Sequence, residues 1–354
     1  MKKNKILYIF YMLLLANMVI AQDTPFSIMT STSMYLNPAC TGVINRDVKA
    51  GLIYRSQGSS IAKPYTTFGA SAEMAYYHNK DKSNFFGFGI NAFQHKEGLA
   101  AIKHTSANIS ASYTIGLSSS LSDFLTVGLQ GGIAQRAMNL DNSLRWDSQW
   151  TGLKYDAKLT GEYFDIRNFN YYDFGAGVLY NKKISNQIKL NGGFSAYHIG
   201  GPKISMNEIP KGPSGALADK LHRKYTVHGS AEIFTSQNSI TVLVPSFVYQ
   251  QQRTQKNVMI GLDLRYLVGV DSKFTDYNKQ TAISVGMSYR LKDALIPHVR
   301  MDYKEFTFYT SYDITVSKLS SANKSSGAYE FAMVWNIKTA LSTKNKPRIF
   351  KFVN

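Results

Sequence analysis

From about residue 46 onward, apolar residues alternate with small or polar ones in one strand-length segment after another. The segment 329–337 is typical. Tyr329, Phe331, Met333, Trp335 and Ile337 share one face, and Glu330, Ala332, Val334 and Asn336 share the other. Side chains point alternately to the two sides of a strand, so the pattern predicts one apolar face and one small or polar face. In 86–93, Phe86, Phe88, Ile90 and Ala92 oppose Gly87, Gly89, Asn91 and Phe93. In 283–290, Ile283, Val285, Met287 and Tyr289 oppose Ser284, Gly286, Ser288 and Arg290.

Fourteen such segments are expected, at 48–55, 66–76, 85–94, 105–116, 124–135, 171–180, 188–198, 224–234, 240–250, 258–267, 281–290, 295–303, 305–315 and 327–337. The ninth alternates least clearly, and Pro245 lies inside it. Strands of about ten residues and an even strand count fit an antiparallel outer-membrane β-barrel. Lipid offers no hydrogen bonds to a sheet edge, so such a sheet must close on itself. The fold class read here is all-β, a transmembrane barrel of about 14 strands after a cleaved signal peptide. A soluble sandwich or propeller would also alternate, but with a denser charged face outward. Charged residues are 18% of this chain and aromatics 13%, against roughly 25% charged in an average soluble domain. The mean hydropathy of −0.20 argues against a helical membrane protein.

The connections at 77–84, 117–123, 181–187 and 235–239 are short and polar, as periplasmic turns are. Those at 136–170 and 199–223 are long and fall on the opposite side. The first carries Trp146, Trp150 and Tyr163 among acidic residues, a candidate surface for a protein partner. The loop at 268–280 is longer than its periplasmic parity calls for.

Residues 1–21 read as a signal peptide. Lys2, Lys3 and Lys5 precede an apolar core, and Val19 and Ala21 stand before a cleavage point at Gln22. Residues 22–45 form a leader with Pro25, Pro38 and Gly42, 46–337 the barrel, and 338–354 a basic tail. Leader and tail are expected in the periplasm or the lumen, with both termini periplasmic. The net charge of +17, from which the signal removes three lysines, is spread over turns rather than gathered in a stripe. It points to an anionic lipid surface and not to nucleic acid.

By parity Lys49, Arg55, Glu73, Asp173, Lys189, Lys224, Glu232, Asp263, Arg265, Arg290, Arg300, Asp302, Asp313 and Glu330 face inward. Their mixed signs argue for ion-paired packing rather than a selectivity ring. The seven histidines form no His-Glu-x-x-His pattern, and Cys40 is the one cysteine, so zinc spacing is missing. No spacing singles out a serine beside His198. No enzyme activity, metal or cofactor is expected, and Cys40 is read as inert.

Four stretches carry a family likeness. They are Pro25-Phe26-Ser27 with Asn37-Pro38-Ala39-Cys40-Thr41-Gly42; Tyr54-Arg55-Ser56-Gln57; Ala196-Tyr197-His198-Ile199-Gly200-Gly201-Pro202; and Ser311-Tyr312-Asp313-Ile314-Thr315-Val316-Ser317-Lys318-Leu319 followed by Tyr329-Glu330. In order and spacing the chain resembles the PorP/SprF family of the type IX secretion and gliding-motility machinery of Bacteroidota. The resemblance implies a fourteen-stranded barrel without catalysis. It also implies partners: type IX secretion subunits and a secreted cargo, such as a large adhesin with a secretion-directing C-terminal domain. A porin or solute-uptake channel is the alternative reading of the same architecture.

Overall fold

The computed structural model describes residues 26–29, 31–44, 46–61, 63–77, 84–98, 102–118, 122–138, 147–156, 158, 168–204, 220–235, 240–268 and 281–337. Fourteen strands form one closed antiparallel barrel in sequence order, with the first paired to the last. They are β1 (Val48–Gln57), β2 (Tyr65–Tyr77), β3 (Asn84–Glu97), β4 (Ile102–Gly116), β5 (Phe124–Ala137), β6 (Asn168–Lys183), β7 (Ile188–Tyr197), β8 (Lys224–Phe234), β9 (Thr241–Gln252), β10 (Gln255–Leu267), β11 (Thr281–Arg290), β12 (Ala294–Tyr303), β13 (Phe306–Thr315) and β14 (Ser326–Ile337). All fourteen expected segments are strands. The β5–β6 connection is shorter than expected, because β5 and β6 run further than 135 and 171, while the β7–β8 connection starts one residue earlier, because β7 stops at Tyr197 and His198 follows it.

The outward faces are apolar in every part of the wall, with Ile109 70%, Leu129 63% and Val285 58% exposed. Two aromatic girdles flank this belt. Tyr54, Phe68, Tyr225, Tyr312 and Tyr329 lie towards the end where β1 finishes. Tyr76, Phe86, Tyr180, Tyr266, Tyr303 and Trp335 lie towards the other. An apolar band between aromatic rings is the outside of an outer-membrane barrel. No helix among the described residues is long and apolar enough to span a membrane; the strands do the crossing. We call the end where β1 begins and β14 stops the terminal end, and the opposite one the loop end.

Pro245 does sit inside β9. The β9–β10 ladder is continuous past it, but β8–β9 pairing lapses between Ser230↔Ser246 and Ile233↔Leu243. Proline has no N–H to give to that neighbour, which is why the alternation signal weakens there. The loop 268–280 joins β10 to β11 at the terminal end, as parity requires.

Leu262 is outward, 52% exposed and midway along β10. Leu262→Arg is expected to lower stability in lipid by about 2–4 kcal/mol. Reversible denaturant unfolding from vesicles measures this; a value near zero would mean that this face does not meet hydrocarbon.

Candidate functional site

The lumen is occupied by the chain's own leader. Residues 26–44 run from the loop-end half down to the terminal end before the chain turns into β1. Phe26 and Ile28 pack with Ile53, Phe93, Tyr309, Ala332 and Val334. Met29 joins Val248, Met259, Ala294 and Ile296. Ala39, Val43 and Ile44 close the terminal end against Ala75, Phe85, Phe124 and Leu179. These inward apolar residues have the leader as their partner, and each large side chain so buried contributes roughly 1.5–3 kcal/mol.

The leader's backbone lies inside a barrel without belonging to its sheet, so its polar groups need partners from the wall. Glu330 supplies two at once: Ser27 N donates to its Oε1 and Ile28 N to its Oε2, both at 2.7 Å. The Ser27 hydroxyl donates to Asp313 Oδ1 at 2.7 Å and accepts from Arg55 Nη1 at 3.0 Å and Arg290 Nη2 at 2.7 Å. One donor and two acceptor positions are all a hydroxyl has, so its capacity is used in full. Arg55 also bonds Glu330, and both Arg55 (3.2 Å) and Arg290 (3.0 Å) reach Asp313 Oδ2. The cluster holds two arginines and two carboxylates, each at most 6% exposed at the side chain. A one-residue register shift between Tyr312 and Ile314 in the β13–β14 ladder falls at Asp313; such irregularities re-aim a side chain.

Further along, the leader hangs from side chains of four other strands. Tyr197 OH donates to Met34 O at 2.7 Å, Ser195 Oγ to Leu36 O at 2.8 Å, and Ser112 Oγ to Thr41 O at 2.6 Å. Gly42 N donates to Glu73 Oε2 at 2.8 Å, and Glu73 is paired with Lys49 at 3.0 Å. The Lys224 ammonium lies over the rings of Tyr35 (4.3 Å) and Tyr197 (4.9 Å).

Asn37, wholly buried, is the leader's central anchor. Its Oδ1 accepts from Ala39 N at 2.9 Å, and its Nδ2 donates to Val178 O at 2.9 Å and lies 3.1 Å from His228 Nε2. Such an approach requires bare backbone opposite. A Cβ on Gly177 would stand 2.0 Å from Asn37 Oδ1, and one on Gly87 would stand 2.1 Å from Thr41 O. Gly42 itself has φ +73, a conformation glycine takes without strain.

A cavity of about 240 Å³ remains between the leader and the β7–β12 wall. Arg265 (2.5 Å) and Arg300 (2.9 Å) converge on Asp302, His298 bonds Asp263 at 2.8 Å, and Lys189 faces Glu232 at 3.8 Å. The inward charges are thus paired, as their mixed signs imply. Cys40 borders this cavity. Burial, with Glu73 adding and Lys49 opposing, pushes its thiol up to about 12, so it holds almost no thiolate at neutral pH.

The chain was compared with known families and structures. The model of the type IX secretion system membrane protein PorP/SprF matches residues 19–335. The chain belongs to the PorP/SprF family. No curated protein matches by sequence. Solved barrels that resemble it include the toluene transporter TbuX of Ralstonia pickettii, at TM-score 0.45, 12% identity, and 86% of this chain against 92% of that one. A FadL homologue of Pseudomonas aeruginosa gives 0.44, 11%, and 86% against 94%. BamA of Haemophilus ducreyi lacking POTRA domains 1–3 gives 0.41, 9%, and 82% against 70%.

Of the PorP/SprF motif positions, Asn37, Pro38 and Gly42 lie in the leader, while Arg55, Asp313 and Glu330 form the cluster that grips its head. Ser317 and Leu319 belong to the β13–β14 turn: Ser320 N donates to Ser317 O at 2.9 Å and Ala322 N to Leu319 O at 3.0 Å. Tyr54 and Tyr329 pack on the outer wall with tilted rings, centroids 6.0 Å apart. His198 closes β7 with φ +57 and bonds Asp173 at 2.8 Å, and Pro202 O accepts from Leu221 N at 2.8 Å. Trp150 packs on Tyr155 at 5.1 Å in a small hairpin with Gly152 (φ +90), whose tip Leu153 is 91% exposed. Trp146 and Tyr163, with the signal and the tail, lie outside the described residues. Sequence reasoning missed Ser27 as the centre of the charge cluster and the parts of Ser112 and Ser195 in holding the leader; it singled out Tyr197 and Lys224, but not their contacts with it. The available signal was polar inward residues on strands whose neighbours could not satisfy them.

Asn37→Asp would set a carboxylate oxygen against the Val178 and Phe194 carbonyls. It is expected to destabilise leader docking by about 1–3 kcal/mol, more than Asn37→Ala relieves. Cys40 reports the event: the folded native protein should resist maleimide at neutral pH, and Asn37→Asp should label readily. Equal labelling of the two would show that Asn37 does not hold the leader. Ser27→Ala strands two arginine donors and one carboxylate oxygen, and should speed hydrogen exchange at the Ile28 amide by about tenfold or more. Unchanged exchange there would show that the hydroxyl is dispensable.

Proposed function

We propose that this protein is a non-enzymatic outer-membrane component of the type IX secretion machinery, supporting secretion or surface attachment of a partner protein such as a large adhesin. The family, described as a type IX secretion system membrane protein, supports a secretion-associated role in the outer membrane. The filled lumen carries the reading further. A conduit needs a continuous water path along its axis, and here the axis holds leader residues 26–29 and 31–44, pinned to the wall at both ends. A barrel filled in this way acts through its rims and outer wall. On this reading the loop end faces the cell exterior and offers the exposed Trp150, Leu153 and Tyr155 hairpin to a partner. The terminal end and the basic tail face the periplasmic side of the machinery.

Capture of the tagged protein from outer membranes is expected to bring down a large secreted protein together with type IX subunits. Replacing residues 139–167 and 205–219 by short Gly/Ser turns should leave the barrel folded and release the cargo into the medium. Cargo that stays on the surface would sink the reading. The porin alternative predicts steady conductance of the intact protein in a planar bilayer. The secretion reading expects none from the intact protein, and pores only when the leader grip is broken, as in Glu330→Ala.

A further inference from the structure

One strand of the barrel is longer than its neighbour. β6 pairs with β5 from its first residue almost to its last, Ala137↔Asn168 to Phe124↔Asn181. With β7 it pairs only from Ala176↔Ala196 to Lys183↔Lys189. Tyr197 ends β7, His198 breaks the strand at φ +57, and a single further backbone bond reaches β6, from Ile199 N to Phe174 O at 3.2 Å. Beyond it, among the described residues, no strand lies against Asn168–Asp173 on that side.

The direction of Phe174 O fixes which groups face this edge. Backbone polar groups alternate sides along a strand, and the constant register with β5 rules out a bulge. Asn168, Asn170 and Tyr172 therefore present both N–H and C=O on the side where Phe174 meets Ile199. The edge cannot lie in hydrocarbon, where an open ladder does not persist. The side chains agree: Asn168 and Asn170 are polar, outward and exposed, and Tyr172 is 71% exposed, an aromatic at the boundary. The free length thus rises out of the membrane belt on the side of the barrel that carries the long loops.

We propose that Asn168–Asp173 is a β-augmentation site, which takes one extended strand of a protein partner as an added neighbour of β6. The chemistry leaves little choice of occupant, because alternating donors and acceptors at strand spacing are matched by another strand's backbone and by no compact ligand. About six residues at roughly 3.3 Å each set the length of the segment bound. On one face the incoming side chains meet Tyr172 and the asparagines. On the other they meet Phe169 and Tyr171, which already pack with Ile204 and Leu221. The site rests on the secretion reading above and specifies how the cargo is held.

The test uses the full-length protein in detergent and, as probe, the cargo recovered with it. Asn170→Pro removes an N–H that points to the open side, at an edge where proline is tolerated, so the barrel should still form. Cargo binding is expected to weaken about tenfold or more, and by much less in Asn170→Ala, which loses the side chain but keeps that N–H. Hydrogen exchange gives the second measurement. The amides of Asn168, Asn170 and Tyr172 should exchange fast in the free barrel and become protected with cargo. Protection already present in the free barrel would mean that the chain covers this edge itself, and would overturn the site. Equal binding by Asn170→Pro would overturn it while leaving the secretion reading intact. A native barrel that binds no cargo would overturn that reading and this site with it.

Discussion

A closed barrel of fourteen strands encloses more space than short inward side chains can fill, yet less than the open channels of the largest barrels. Any backbone placed in that space must find hydrogen-bond partners off the wall, because its own segment forms no sheet. Both requirements meet in residues 26–44. Their apolar side chains complete three packed clusters, and their amides and carbonyls draw polar side chains inward on β2, β4, β7 and β14. The small inner faces of β3, β5 and β6 and the buried charges near the loop end are two sides of one adaptation: room where the leader runs close, charge where it must be gripped.

Gripping with charge is costly in isolation, since four ionised groups leave water. The arrangement around Ser27 offsets this by neutrality and by saturation, with two cations, two anions, a fully used hydroxyl and two backbone amides. Removing any member strands the rest, which makes the cluster a device for fixing one position of the leader rather than a source of net stability. Asn37 does the same by neutral hydrogen bonds at the leader's middle.

Much of this was legible in the sequence. A period of two over ten residues reports on backbone geometry and one-sided burial directly, so the strands, their parity and the inward charges could be read from it. The family motif pointed to Asn37, Arg55, Asp313 and Glu330, though not to their common purpose. Strand glycines do not announce what they admit: Gly87 makes room for leader backbone at Thr41, and Gly177 for the Asn37 side chain. The clue was on the page in Phe93, an apolar residue on a face that should be polar. A pattern along one strand carries no information about what a distant segment places against it. The contact between Ser27 and Glu330 spans 303 positions, which no local period can encode.

Arg55 and Glu330 are direct neighbours across the β1–β14 ladder, the place where the first strand meets the last. The leader's head is therefore held by the seam that makes the cylinder whole. While that seam is open, the amides of Ser27 and Ile28 have no carboxylate opposite Arg55 to receive them. While the leader is elsewhere, two arginines crowd an unfilled gap just as the sheet tries to join. The filling of the interior and the closure of the wall are thus joined through the same side chains, Arg55 and Glu330.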